Sequence, residues 1–180
     1  DIRQNNRDHR KILVIDGVTS FSGGINIADE YINKITRFGL WKDNCFKIDG
    51  EATNGLTNLF ISNWNIAHKD KLEHEKYMFD ANKDLVNHEI KNDGFMQPFG
   101  DVPFDNEETC HNATLQLINK AKKYIYISTP YLIPDEELLD ALAIASKSGV
   151  DVKIITPGIP DKKLIYSATR SYYARLILNG

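Results

Sequence analysis

The chain has 180 residues, 42% of them apolar, which is enough material for a packed core and excludes wholesale disorder. Its net charge of −3, with Lys and Arg spread along the chain, argues against a dedicated nucleic-acid binder, which carries a basic stripe or arm. No signal peptide and no apolar run of membrane-spanning length is present, and the length suits one ordinary domain or two incomplete ones.

In chain order, Lys11–Asp16 (KILVID) is a short β-branched run, Gly17 is a turn residue, and Thr19–Ser22 is a second strand. Together they predict a hairpin. Asn44–Ile48 alternates around Phe46 and Ile48 and stops at Asp49-Gly50. Cys45 within it and the distant Cys110 have no CxxC spacing and read as free, buried thiols of a reducing compartment. From Glu51 to His68 the apolar residues Leu56, Leu59, Phe60, Trp64 and Ala67 recur at helical spacing, predicting a helix with one face buried.

Residues 69–94 are polar and aperiodic and predict a long surface connection between two lobes, with room for one helical stretch. Beyond it the order is regular: a strand at Phe95–Phe99, a helix at Asn106–Lys122, a strand at Tyr124–Ser128, a helix at Asp135–Ser148, a strand at Val152–Thr156 and a helix at Lys162–Leu178. Leu138, Leu142 and Ala145 line one side of the Asp135 helix, and Gly149 caps it. Strands alternating with helices predict parallel pairing with helices packed on the faces, so the class is α/β.

Chemistry concentrates in residues 9–26, whose spacing is HxKx4D followed by GGxN. Residues two apart on a strand share a face, so His9 and Lys11 point together and Arg10 points away. An imidazole beside an ammonium is a poor metal site but suits a phosphate. Lys11 supplies charge and donors, and His9 supplies a nucleophile or a proton. Asp16 lies an odd number of residues from His9 and is expected to hold the turn. Gly23-Gly24 let backbone approach an anion, and the Asn26 amide is a neutral donor for phosphoryl oxygens.

This string resembles the HKD motif of the phospholipase D superfamily at every fixed position, with the bacterial cardiolipin synthases as the most similar branch. Asn26–Tyr31 (NIADEY), Gly39–Gly50, Lys122–Glu137 (KKYIYISTPYLIPDEE), Ser148–Gly158 and Tyr166–Tyr173 are all similar to segments of those enzymes.

The resemblance implies that His9 attacks phosphorus and becomes a phosphohistidine, while Lys11, Gly24 and Asn26 hold the phosphate. It further implies that Asp43 orients His9 and that Tyr131 lines the substrate path; no cofactor and no metal are called for. It implies a phospholipase D-like α/β/α sandwich, incomplete here: 1–80 the C-terminal part of a first lobe, 81–104 a connection, 105–180 the start of a second. His9, Lys11, Asn26 and Asp43 are expected to converge at one end of the first sheet.

The implied reaction is phosphatidyl transfer from one phosphatidylglycerol to another, at the cytoplasmic face of a bacterial membrane, which the longer parent would reach through N-terminal helices. Phosphodiester hydrolysis, of lipid or nucleic acid, and a catalytically silent fragment are the alternatives. A second HKD motif, which would supply the general acid, is missing before Gly180. His68-Lys69-Asp70 is consecutive, and His74-x-Lys76 has Ala81 where the Asp belongs. Neither His88 nor His111 has a lysine two residues on. These four read as surface or capping histidines, and a homodimer is a possible route to a complete site. Strand edges left open by truncation would also favour self-association.

Overall fold

The computed structural model describes residues 8–84, 94–101 and 106–180. His88 and half of the connection expected at 81–104 lie outside the described residues. The chain forms two compact units, Asp1–Gly100 and Asp101–Gly180. Strands and helices occur in both, so the class is α/β.

The first unit is built on an antiparallel meander, β1 (Lys11–Ile15), β2 (Thr19–Gly23) and β3 (Cys45–Asp49), in that spatial order. The β1–β2 turn is closed by Val18 N–H donating to the Ile15 carbonyl at 3.0 Å. Asp16 and Gly17 sit in it at φ 54° and 71°, the positive values that primed hairpin turns demand. A Cβ on Gly17 would also stand 2.7 Å from the Tyr77 carbonyl oxygen, so glycine is needed there twice over.

Helix α1 (Thr53–Ala67) packs on β1 and β2. Its buried stripe is Thr53, Leu56, Thr57 and Ile61, which corrects the expected one. Phe60 and Ala67 are exposed, because the helix turns two threonines inward. Those hydroxyls are satisfied. Thr53 Oγ1 donates to the Val18 carbonyl at 3.2 Å and meets Ser20 Oγ at 3.2 Å, while Thr57 Oγ1 donates to the Thr53 carbonyl. The meander's other face, carrying Leu13 and Ile15, stays open.

A 3₁₀ turn (His74–Lys76) and the short α2 (Ala81–Asp84) follow. The strand expected at Phe95–Phe99 does not form. Pro98 offers no ladder donor, and the segment instead crosses α1 where Gly55 leaves room; a Cβ there would lie 2.7 Å from the Pro98 carbonyl oxygen.

In the second unit, β4 (Tyr124–Ser128) and β5 (Asp151–Ile155) pair in parallel, as the alternation with helices predicts. Around them are α3 (Thr109–Lys120), α4 (Glu136–Lys147), α5 (Lys163–Ser171) and α6 (Tyr173–Asn179). Ile118, Ala141, Leu142, Ala145 and Val150 form the core, with Ile125, Ile127, Val152 and Ile154 of the strands packed against it. Asp135 caps α4 by accepting from Leu138 N–H at 2.8 Å, and Gly149 ends it at φ 91°.

The single helix expected over Lys162–Leu178 is two, divided at Tyr172. Each half has its own anchor: buried Thr169 Oγ1 accepts from Leu132 N–H, and Arg175 pairs with Glu136 and Asp140. Tertiary contacts outweigh helical continuity there. Both cysteines, expected to be buried, are exposed. On β3 only Ile48 is buried, and Cys110 stands in the first turn of α3.

Candidate active site

Strand register decides what meets at the end of the meander. Lys11 pairs with Gly23 and Gly23 with Cys45, so the start of β1, the end of β2 and the start of β3 lie side by side. His9 and Lys11 therefore share a sheet end with Gly24 and Asp43, and Asn26 follows two residues after Gly24. Asp16 lies at the opposite end, in the turn. It is exposed, and no side-chain bond to it occurs among the described residues.

Lys11 Nζ stands 3.0 and 3.1 Å from the two ring nitrogens of His9 and donates to the His9 carbonyl at 2.5 Å. His9 is exposed and Lys11 half-buried. An accessible imidazole with an ammonium over it can receive a phosphoryl group while the lysine neutralises the oxygens.

The Asp43 carboxylate lies over Gly24, where any Cβ would overlap it. Gly24 N–H donates to the Asn44 carbonyl at 3.1 Å. Asp43 Oδ1 accepts from Asn44 N–H at 2.8 Å and Oδ2 from Trp41 Nε1 at 3.4 Å. No bond from Asp43 to His9 occurs among the described residues: the carboxylate is taken up by its own loop. Asn26 is half-buried.

The loop between Gly24 and Asp43 has an internal frame that sequence reading missed. Asn33 accepts from Trp41 N–H at 2.6 Å and donates to its carbonyl at 2.7 Å, and Tyr31 meets the Trp41 ring edge-on at 4.8 Å. The frame sets where Asp43 stands. An asparagine with φ 60° eight residues before a tryptophan gives no periodic signal that could have revealed it.

Tyr131 belongs to the second unit, in the loop after β4. Its hydroxyl donates to Asp161 Oδ2 at 2.5 Å, and Lys162 Nζ lies 5.0 Å from its ring centroid. Burial, then the bond to Asp161, pushes the phenol's pKa above its ordinary value, while Lys162 opposes the rise.

Three of the remaining histidines have local partners. His68 stacks on Trp64 at 3.9 Å, His74 Nδ1 meets Asn58 Oδ1 at 2.8 Å, and His111 bridges Asp135 and Glu137 at 3.3 and 3.4 Å. Among the described residues no group of three or more His, Cys, Asp and Glu is placed to hold a metal ion, and no helix is long and apolar enough to cross a membrane.

The class to which these features point is phospholipase D-like, and comparison with known proteins supports it. Residues 114–180 match the family described as "Cardiolipin synthase, PLD-like domain". The particular relatives are cardiolipin synthases. A protein of that name from Halalkalibacterium halodurans is 40% identical over 176 residues, 98% of this chain and 34% of that protein. Another from Clostridium perfringens is 39% identical over 187 residues, 100% of this chain and 38% of its own. An uncharacterized protein of Streptococcus mutans is 46% identical over 98% of this chain and 37% of its own length. The chain thus spans about a third of the curated relatives it matches. No solved structure matches it.

Proposed function

We propose that this chain carries the nucleophile's half of a phosphatidyltransferase that makes cardiolipin. The observation that carries the reading is the exposed imidazole of His9 with the Lys11 ammonium 3.0 Å away, at a sheet end shared with Gly24 and Asp43. A ring nitrogen of His9 attacks the phosphorus of one phosphatidylglycerol. The bond to the glycerol oxygen breaks, glycerol leaves with a proton, and a phosphatidyl-histidine remains. The terminal hydroxyl of a second phosphatidylglycerol then attacks that phosphorus, giving its proton back to the group that protonated glycerol, and the P–N bond breaks to release cardiolipin and free His9. Lys11 and Asn26 hold the phosphoryl oxygens throughout.

The proton for the departing glycerol comes from a second histidine in a longer parent or in a partner copy, since a general acid is worth ~10²–10⁴ in rate. On this reading the two units are parts of two successive lobes of a layered α/β/α fold. Tyr131 contributes to the substrate path, the substrate is reached at a membrane surface, and the isolated chain is slow or silent.

The test is incubation with phosphatidylglycerol labelled in the phosphatidyl group, following both cardiolipin and protein-bound label. His9→Ala should abolish covalent label and lower transfer by ~10⁴-fold or more in the full-length protein. Full-length protein that makes cardiolipin equally well without His9 would sink the reading. Phosphatidic acid in place of cardiolipin would make water the acceptor and the enzyme a hydrolase. Cardiolipin formed by the isolated chain and lost on His9→Ala would show that two copies complete the site.

A further inference from the structure

His9 is not held by the sheet. The ladder begins at Lys11, so residues 8–10 have no strand partner among the described residues, and a side chain on such a segment would ordinarily swing. Its two neighbours are tied down instead. Asp8 Oδ1 accepts from the Arg10 backbone N–H and from Arg10 Nε, both at 2.9 Å, and Asp8 Oδ2 accepts from Arg10 Nε at 3.0 Å. Arg10 Nη2 donates to Asn63 Oδ1 at 3.1 Å, and Asn63 Nδ2 donates back to Asp8 Oδ2. The three side chains close a ring in which the asparagine amide can take only one orientation.

Asn63 lies on α1, on the side of the meander opposite His9 and Lys11. The ring is partly sheltered: Arg10 Nη1 is buried, and a Cβ on Gly100 would stand 2.9 Å from it. We propose that Asp8, Arg10 and Asn63 are positioning residues, a brace that fixes the backbone on both sides of His9 and so holds its ring under the Lys11 ammonium. None of the three touches the reacting atoms. Their effect passes through His9, in the way that partners behind a ligand set its orientation.

The inference rests on the phosphate-site reading for its purpose, but its geometry can be tested separately. Isotope-labelled protein gives two readouts: the nuclear Overhauser contact between the Lys11 ε-methylene and the His9 ring, and the shift of the His9 ring signals on titration with inorganic phosphate. Arg10→Gln and Asn63→Leu should each lose the contact and weaken phosphate by roughly tenfold, with amide signals of the β1–β2 ladder unchanged. Arg10→Lys, which keeps a charge but not the fork, should lie between.

A variant with its ladder intact, its contact intact and unaltered phosphate affinity would overturn the brace. Wild-type protein that shows the contact but binds no phosphate would instead fail the proposed function and leave the brace to be judged on the contact. If Arg10→Gln loses the ladder, Asn63→Leu decides, because it leaves the Asp8–Arg10 pair in place.

Discussion

The two units are stabilised in different ways. In the first, three hydrogen-bonding side chains, Ser20, Thr53 and Thr57, are buried beside Val18, Ile48, Leu56 and Ile61. Among the described residues of the second, buried polarity is confined to Thr169, and the core is Ile118, Leu132, Leu139, Leu142 and Val150 with two alanines. Charges follow the same division. The first unit uses an ionic ring at Asp8–Arg10–Asn63 to fix a segment the sheet does not reach, whereas the ion pairs of Arg175 and Lys153 in the second lie on exposed surfaces and add little. The region that carries His9 and Lys11 is built from directional bonds. A region that supplies bulk is built from non-directional apolar burial.

That contrast can be attacked at three points beyond the tests above. The largest effect is expected in the second unit, where Leu139 is 2% exposed; Leu139→Ala should cost about 2–5 kcal/mol in urea unfolding followed by circular dichroism. A loss under about 1 kcal/mol would mean that the core there is loosely packed and the comparison is wrong.

Thr53→Val, nearly isosteric, removes the hydroxyl that serves Val18 and Ser20, and should cost about 1–3 kcal/mol by the same measurement. Thr53→Ser keeps the hydroxyl and should recover most of that. A loss for Thr53→Val no larger than that for Thr53→Ser would mean that the hydroxyl matters no more than the methyl and would remove the directional-bond argument.

The smallest effect concerns acid. The Arg10 side chain bound to Asp8 holds that carboxyl's pKa below its ordinary value, against a smaller rise from burial. A depressed carboxylate contributes stability that is fully present above the unfolded value of about 3.9 and is lost as pH falls through the folded value. The Arg10 Nε–H signal held by Asp8 should therefore persist unchanged from neutrality down to about pH 4 and fade only below it. Fading in Asp8→Asn already at neutral pH, beside persistence in the wild type, would tie the acid limb to this carboxylate. Identical profiles would detach it.

Much of this was legible in the residues, and the reasons are local. KILVID-Gly-Val-Thr predicts a hairpin because β-branched runs flank an Asp-Gly turn, and the structure has it with positive φ at both turn residues. The α4 helix was readable from its Leu138, Leu142 and Ala145 spacing and its Asp135 and Gly149 ends. The parallel pairing of β4 and β5 follows from the helix between them. Spacing also singled out His9, Lys11 and Asn26, but the alternation argument needs a strand at His9 and the ladder begins only at Lys11; the two meet because the Lys11 ammonium lies 3.0 Å from the ring.

Other features depend on partners that are far apart in sequence, and no periodicity reports those. The Phe95–Phe99 run has strand-like composition, but a strand needs a neighbour, and this segment found α1 at Gly55 instead. The buried stripe of α1 shifted toward Thr53 and Thr57 because the Val18 carbonyl and Ser20 were waiting beneath it. Asp43 was taken by Trp41 and Asn44 rather than by His9. The brace on Arg10 joins residues 53 positions apart. The sequence by itself determined the chemistry available at the sheet end, because residue type and alternation are local properties. Only the tertiary structure decided how that chemistry is held, because the directional bonds of Asn63 and Trp41 exist only once helix, sheet and loop have come together.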